Sequence, residues 1–296
     1  MAARRAPMKP LDGRTVLLTG ATGTLGRSIA DAYARAGARL LLSARHDAPL
    51  QGLAGELSAR YSTEVAVHPC DLSDAADIRR LPDEARRLFD RLDVLVNAAA
   101  VLGPVGPLWE VDWAEWTRAI DINLCAPARL CQLCVRSMPR SAGRGKIINV
   151  AGGGATSPRP RFSAYAAAKA ALVRFSETLA HEVADRSVDV NCIAPGVLRS
   201  RMSQAVLDAG PERAGPEEHG KAERVLKEAA DGRLRAAELC AFLASDASDG
   251  ITGKLISAIW DPWESFGEHR ADLGATDVYT IRRILPEDRA LSWRGL

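Results

Sequence analysis

A Rossmann-type α/β fold, a doubly wound parallel sheet in a single domain with a C-terminal tail, is predicted by three observations. Short, continuously apolar strands alternate with stretches of helical length. A glycine-rich turn joins the first strand to the first helix. Glycine, asparagine, alanine or proline follows the ends of several strands. Alternation of this kind implies a parallel sheet with helices on both faces. Strands without polar alternation imply that both faces are buried.

The elements follow in order. Thr15-Val-Leu-Leu-Thr19 is the first strand, and the helix after it runs to Ala36, where Gly37 stops it. Arg39–Ser43 is the second strand, a helix covers about 48–60, and Glu64–His68 is the third strand. Residues 74–91 read as helical, with Pro82 expected to break or kink them. Asp93–Asn97 is a strand, a long helix is expected near 112–137, and Lys146–Val150 is the next strand. A helix over about 163–185, a strand at Val188–Ile193, a helix at 235–245 and a strand at Lys254–Ala258 complete the alternation.

Three segments lie outside it. Residues 1–11 are basic and read as a flexible tail, leaving 12–258 as the folded domain. Residues 197–234, rich in Arg, Glu, Gly and Pro, form a long connection of the kind that serves as a substrate lid or is a disordered insertion. Residues 259–296 carry Trp260, Trp263, Phe266, Tyr279 and Trp293, too aromatic for disorder. They are expected to pack on this subunit or a partner, near the crevice of a neighbour.

Composition narrows the function. Lys+Arg 39 against Asp+Glu 37 gives a net charge of +2, which does not favour nucleic acid or an acidic membrane as partner. No apolar run is long enough to span a bilayer and no secretory core follows the basic start, so a cytoplasmic protein acting on a small molecule is expected. The cysteines (70, 125, 131, 134, 192, 240) and histidines (46, 68, 181, 219, 269) show no complete metal-ligand spacing. Cys131-Gln-Leu-Cys134 lies in an apolar helical stretch and reads as buried or interface thiols.

Two motifs carry chemistry. Gly20-x-x-Gly23-x-x-Gly26 follows a strand and opens a helix, the setting in which glycines let a pyrophosphate approach the helix N-terminus. The second strand ends Ser43-Ala44-Arg45. Ala44 stands where an acidic residue would accept a ribose 2′-hydroxyl, and Arg45 suits a 2′-phosphate, so NADP is expected over NAD. Asp71, after the third strand, is placed to accept from the adenine amino group. Tyr165-Ala-Ala-Ala-Lys169 puts a phenol and an ammonium four residues apart on one helical face. A positive charge there is expected to lower the tyrosine pKa and suit it to proton exchange with an alcohol or carbonyl.

Over roughly 12–258 the chain resembles the short-chain dehydrogenase/reductases, through the Thr19–Gly26 turn, Asp71-Leu72, Asn97-Ala98-Ala99, Asn123, Tyr165-x-x-x-Lys169 and Pro195-Gly196 with Ser200. The resemblance implies Tyr165 as general acid/base, Lys169 tuning it and holding the nicotinamide ribose, and Asn123 anchoring a proton-relay water. Gly20, Thr22, Gly23, Leu25, Gly26, Leu72, Asn97, Ala98 and Ala99 would contact the cofactor, with Pro195, Gly196, Val197 and Leu198 beside the nicotinamide. A homodimer or homotetramer built from the 112–137 and 163–185 helices is also implied.

Three departures from the family pattern stand out. The glycine spacing resembles the longer epimerase/dehydratase branch, and Asn97-Ala-Ala-Ala100 replaces Asn-Asn-Ala-Gly. The family's catalytic serine, about thirteen residues before the tyrosine, falls on Gly152 with Ala151 before it, and neither side chain can donate a hydrogen bond. The candidates to take its place are a hydroxyl from Thr156, Ser157 or Ser163, a substrate hydroxyl, or backbone N–H groups of Gly152, Gly153 and Gly154; without one of these, turnover is lost. Arg159, Arg161, Arg199 and Arg201 flank the expected mouth and suggest a polar, sugar-like or phosphate-bearing substrate. The expected function is an NADP-dependent carbonyl/alcohol oxidoreductase, the alternatives being a nucleotide-sugar epimerase/dehydratase or a non-catalytic dinucleotide sensor.

Overall fold

The computed structural model describes residues 9–138, 143–227 and 232–291. Seven parallel strands form one sheet in the order β3-β2-β1-β4-β5-β6-β7. They are β1 (Thr15–Thr19), β2 (Arg39–Ser43), β3 (Val65–Val67), β4 (Val94–Asn97), β5 (Gly145–Val150), β6 (Val188–Ala194) and β7 (Leu255–Ser257). The chain builds outward from β1 to β3, then returns to the other side of β1 with β4. That reversal leaves a crevice beyond the carboxyl ends of β1 and β4.

The apolar strands serve two cores because successive side chains point to opposite faces. Val16, Leu18, Leu40 and Leu42 face one cluster, with α1 (Thr24–Arg35), α2 (Asp47–Tyr61) and α10 (Arg233–Ala244). Leu17, Leu41 and Leu95 face the other, with α3 (Ala75–Phe89), α5 (Ala126–Ser137) and α6 (Ser163–Glu182). Among the described residues no helix is long and apolar enough to cross a membrane.

Several boundaries differ from expectation. Helix α3 continues through Pro82. Its buried stripe of Ile78, Leu81, Ala85 and Phe89 outweighs the roughly 3 kcal/mol that an internal proline costs. The long helix expected at 112–137 is α4 (Trp113–Ile120), a π-helical turn at Asp121–Cys125, and α5. In that turn the Ala126 N–H reaches back five residues to Asp121 O. The expected N-terminal tail ends earlier: Leu11 is fully buried and its N–H bonds Ala36 O at 3.0 Å. Residues 1–8 lie outside the described residues.

The 197–234 connection is helical where described: α7 (Arg201–Asp208), α8 (Gly210–Ala214) and α9 (Pro216–Lys227). Val206, Ala214 and Ala222 from these helices pack with Leu102, Phe162 and Tyr165, so the segment sits over the tyrosine. The aromatic tail packs on its own subunit. Trp263, Phe266 and Leu273 join the first core cluster, and Tyr279 lies against it. Trp260 remains exposed, and Trp293 lies outside the described residues. Buried Lys254 grips the tail by donating to Thr276 O and Val278 O at 3.0 Å each, and Tyr279 O accepts from the edge-strand Leu255 N–H at 2.8 Å.

Candidate active site

Where β1 ends, Gly20 turns the chain with φ +69°. A Cβ there would stand 2.6 Å from the Ala99 backbone, so only glycine lets the β1 turn meet the loop after β4. A Cβ on Gly26 would fall 2.1 Å from Gly20 O, so that position also requires glycine for the helix to close on the turn. Gly23 is less constrained, at 3.2 Å from Gly20 O. As the N-cap of α1 it lends no side chain to the first-turn N–H groups, which remain available to an anion. The donor set and the cradle fit a pyrophosphate.

A cleft of about 640 Å³ opens over this turn. Gly20, Thr22, Gly23, Leu25, Gly26, Arg45, Asp71, Leu72, Ala98, Ala99, Pro195, Gly196, Val197 and Leu198 all line it. Arg45 is exposed and has no ion-pair partner among the described residues. Asp71 spends Oδ1 on the Ser73 N–H (2.9 Å) and hydroxyl (2.7 Å), bonds that hold its carboxyl below the ordinary value.

Asn97 is not at the cleft surface. Its Nδ2 donates to Asn149 Oδ1 at 2.8 Å, and Asn149 Nδ2 donates to Ser176 Oγ at 2.8 Å. This buried polar chain ties β4, β5 and α6 together beneath the cleft. Asn123 is likewise occupied: its Oδ1 accepts from the Val101 N–H at 3.0 Å, and its Nδ2 donates to Val101 O at 2.8 Å. Both polar ends of the side chain are therefore spent on the loop after β4. Its main-chain carbonyl is a different matter. Pro127, four residues on, has no N–H to complete the usual helical bond to Asn123 O.

Tyr165 and Lys169 both line the cleft from α6. Lys169 Nζ donates to Val150 O at 2.7 Å and lies 5.8 Å from the centre of the Tyr165 ring. The lowered tyrosine pKa expected from this pair is not what the structure shows. Burial raises the Tyr165 pKa, and the charge that pulls against it is Arg159. The ammonium is turned to a carbonyl, and burial drops its own pKa to about 8.

Gly152 lies against the tyrosine. A Cβ there would stand 2.6 Å from Tyr165 Oη and 3.4 Å from Cζ, so the phenol occupies the room a side chain at 152 would need. Ala151, Gly152, Gly153 and Ser157 line the cleft, whereas Thr156 does not. Ser163 Oγ is already taken by the Trp116 indole N–H at 3.0 Å.

Of the four arginines, Arg159 and Arg201 line the cleft. Arg161 and Arg199 do not; Arg161 donates instead to the Glu212 and Arg213 carbonyls. Glu218 and Lys221 of α9 also line the cleft, and no sequence motif marks them. Their only signal was the charge density of the 197–234 connection, which carries no register. Cys131 and Cys134 are buried within α5, and burial pushes the Cys131 thiol up to about 12. Among the described residues no group of His, Cys, Asp or Glu is arranged to hold a metal.

Comparison with known proteins agrees with this geometry. The short chain dehydrogenase family model matches residues 14–210. The chain is 32% identical over 249 residues to the 3-oxoacyl-[acyl-carrier-protein] reductase FabG of Escherichia coli, covering 83% of this chain and 95% of that protein. It is 34% identical over 250 residues to D-threitol dehydrogenase of Mycolicibacterium smegmatis, covering 82% and 90%. The solved Pseudomonas aeruginosa RhlG/NADP active-site complex superposes with TM-score 0.73 at 30% identity, covering 85% of this chain and 97% of that one. The chain belongs to the short-chain dehydrogenase family, which binds nicotinamide dinucleotides, and these curated relatives are oxidoreductases.

Proposed function

We propose that this protein is an NADP-dependent oxidoreductase that interconverts a carbonyl and a secondary alcohol on a small molecule, with Tyr165 transferring the proton. The observation that carries the reading is the convergence of Tyr165 and Lys169 with the Gly20–Gly26 turn on one cleft. Bound nicotinamide would supply or accept the hydride. Gly20, Gly23 and Gly26 would admit the pyrophosphate to the α1 N-terminus, and unpaired Arg45 favours a 2′-phosphate over a bare ribose. Solved relatives with NADP bound, RhlG and a Shigella flexneri short chain dehydrogenase, are compatible with that preference.

Within the chain, Lys169 is placed to hold the ribose side of the cofactor and to receive a proton, since its depressed pKa lets it change charge near neutrality. Asn123 acts through its main-chain carbonyl as the acceptor for a relay water, because its side chain is committed to Val101. The substrate end is lined by Leu102, Met202, Val206 and Ala222 beside Arg159 and Glu218. That lining favours a partly apolar carbonyl compound with a polar end over a sugar phosphate. We further propose assembly as a homodimer or homotetramer through α4–α5 and α6, with Trp113 exposed on α4. A dinucleotide sensor without turnover is the second reading, favoured by the missing hydroxyl at 151 and 152.

The test is oxidation of NADPH against NADH with a panel of ketones, aldehydes and oxidised sugars, on the wild-type chain and Tyr165→Phe. We expect NADPH-linked turnover that falls at least about 10²-fold in Tyr165→Phe, in line with removal of a general acid. Tight NADPH binding with no turnover on any carbonyl would establish the sensor instead.

A further inference from the structure

The sequence motif assigns the cation beside the tyrosine to Lys169, but the structure places a second one on the same ring. Arg159 Cζ lies 5.6 Å from the centre of the Tyr165 ring and 4.2 Å from that of Phe162. Its Nε donates to Glu218 Oε2 at 2.7 Å, with the two side chains only 21% and 19% exposed. Glu218 is itself held from behind by Lys221 Nζ at 3.0 Å. A guanidinium lying over two aromatic rings and paired with a largely buried carboxylate has little freedom to leave.

We propose that Arg159 is a positioning residue for proton transfer at Tyr165, a permanent cation laid over the phenol and held there by Glu218 of α9. The proposal rests on the reading of Tyr165 as the proton-transfer group. It extends that reading by giving the 197–234 segment a part in the chemistry besides covering the cleft.

The physical argument is a division of labour between two cations. An arginine stays charged at every pH the protein meets. Lys169 is fully buried, with a pKa brought down to about 8 by burial, so its charge is variable near neutrality. A lysine that changes charge can pass a proton on, but it is a poor fixed field. Arg159 supplies that field at a comparable distance from the same ring, and it opposes the upward shift that burial imposes on Tyr165. Glu218 keeps its charge there: burial opposes ionisation, yet the Arg159 and Lys221 contacts hold its carboxyl below the ordinary value.

Besides Arg159, Lys169 of the same helix as Tyr165 lies 5.8 Å from the ring centre. Glu218 and Lys221 of α9 and exposed Arg201 of α7 also line the cleft. Cys192 of β6 sits beside Lys169, and burial puts its thiol at about 12, so it is neutral. Helix α9 thus links the cleft wall to the tyrosine through one ion pair, Glu218 to Arg159.

The experiment follows the ultraviolet absorbance of the Tyr165 phenolate against pH, as a difference from Tyr165→Phe. It is paired with pH profiles of carbonyl reduction. Removing the positive charge with Arg159→Met should raise the Tyr165 midpoint by about one pH unit or more, the effect of an opposite charge within 4–6 Å. Tyr165 donates a proton in reduction, so activity is lost as pH rises through its pKa; the high-pH limb should therefore move up in Arg159→Met. Arg159→Lys should restore most of the shift, and Glu218→Gln should move the midpoint the same way by less.

An unchanged midpoint in folded Arg159→Met, or equal shifts in Arg159→Met and Arg159→Lys, would overturn the role of Arg159. No shift or a downward shift in Glu218→Gln would overturn the holding role of Glu218. Arg159→Gln makes the same charge removal if Arg159→Met does not fold. The phenolate titration needs no substrate, so it decides the proposal even if the carbonyl panel shows no turnover.

Discussion

At the scale of single residues, Gly152 leaves the room that the Tyr165 hydroxyl occupies. The Tyr165 ring is packed by Leu102, Phe162, Val206, Ala214 and Ala222, and its hydroxyl presses toward the Gly152 Cα. A side chain at 152 must therefore displace a buried phenol. A shift of about 1 Å in a reacting group costs on the order of 10²-fold in rate. Gly152→Ser and Gly152→Ala should each lower kcat at least about 10-fold, and the serine should do no better than the alanine. If Gly152→Ser turns over faster than wild type in the same assay, the missing hydroxyl outweighs the steric conflict and this reasoning fails.

Elements set what the residues can reach. The π-helical turn at Asp121–Cys125 has a cause in the chain: Pro127 cannot supply the N–H that would continue a regular ladder at Asn123. The turn is then anchored by Asn123, whose two bonds to Val101 tie it to the loop lining the cleft. Asn123→Ala would strip partners from both a donor and an acceptor of a part-buried backbone, a loss of about 2–4 kcal/mol. Asn123→Asp should not rescue it, because an ionised carboxylate cannot donate to Val101 O. Thermal melting of both variants checks this. An unchanged melting temperature with reduced kcat would show that Asn123 serves only the chemistry.

At the scale of the whole molecule, the C-terminal tail is part of the core. Trp263 and Phe266 are buried on the face that holds α1 and α10, and tail carbonyls receive the buried Lys254 ammonium. Phe266→Ala should cost about 3–5 kcal/mol, the usual loss for truncating a buried aromatic ring. Deleting 262–296 should cost more, since it also leaves Lys254 without its acceptors. Urea denaturation gives both values. A tail deletion that keeps its midpoint would mean the tail is dispensable for folding.

Much of this was legible in the chain, and the reasons are local. Continuous apolar strands and Gly20-x-x-Gly23-x-x-Gly26 determine a parallel sheet with a close-packed glycine turn, because strand burial and positive φ act over a few residues. Tyr165 and Lys169 share a helical face by spacing alone. What spacing could not show is where each polar end is spent. Asn97 and Asn123 look like cleft residues in sequence, yet hydrogen bonds to Asn149 and Val101 turn them inward. Arg161 and Arg159 are two residues apart, but only Arg159 meets a carboxylate, on a helix some sixty positions away. The sequence by itself determined the fold class, the glycine turn and the shared helical face of Tyr165 and Lys169, all consequences of short-range geometry. Which cations face Tyr165, why a glycine stands against it, and what the tail covers were decided only by tertiary packing, because contacts between distant segments depend on where the folded backbone brings them together.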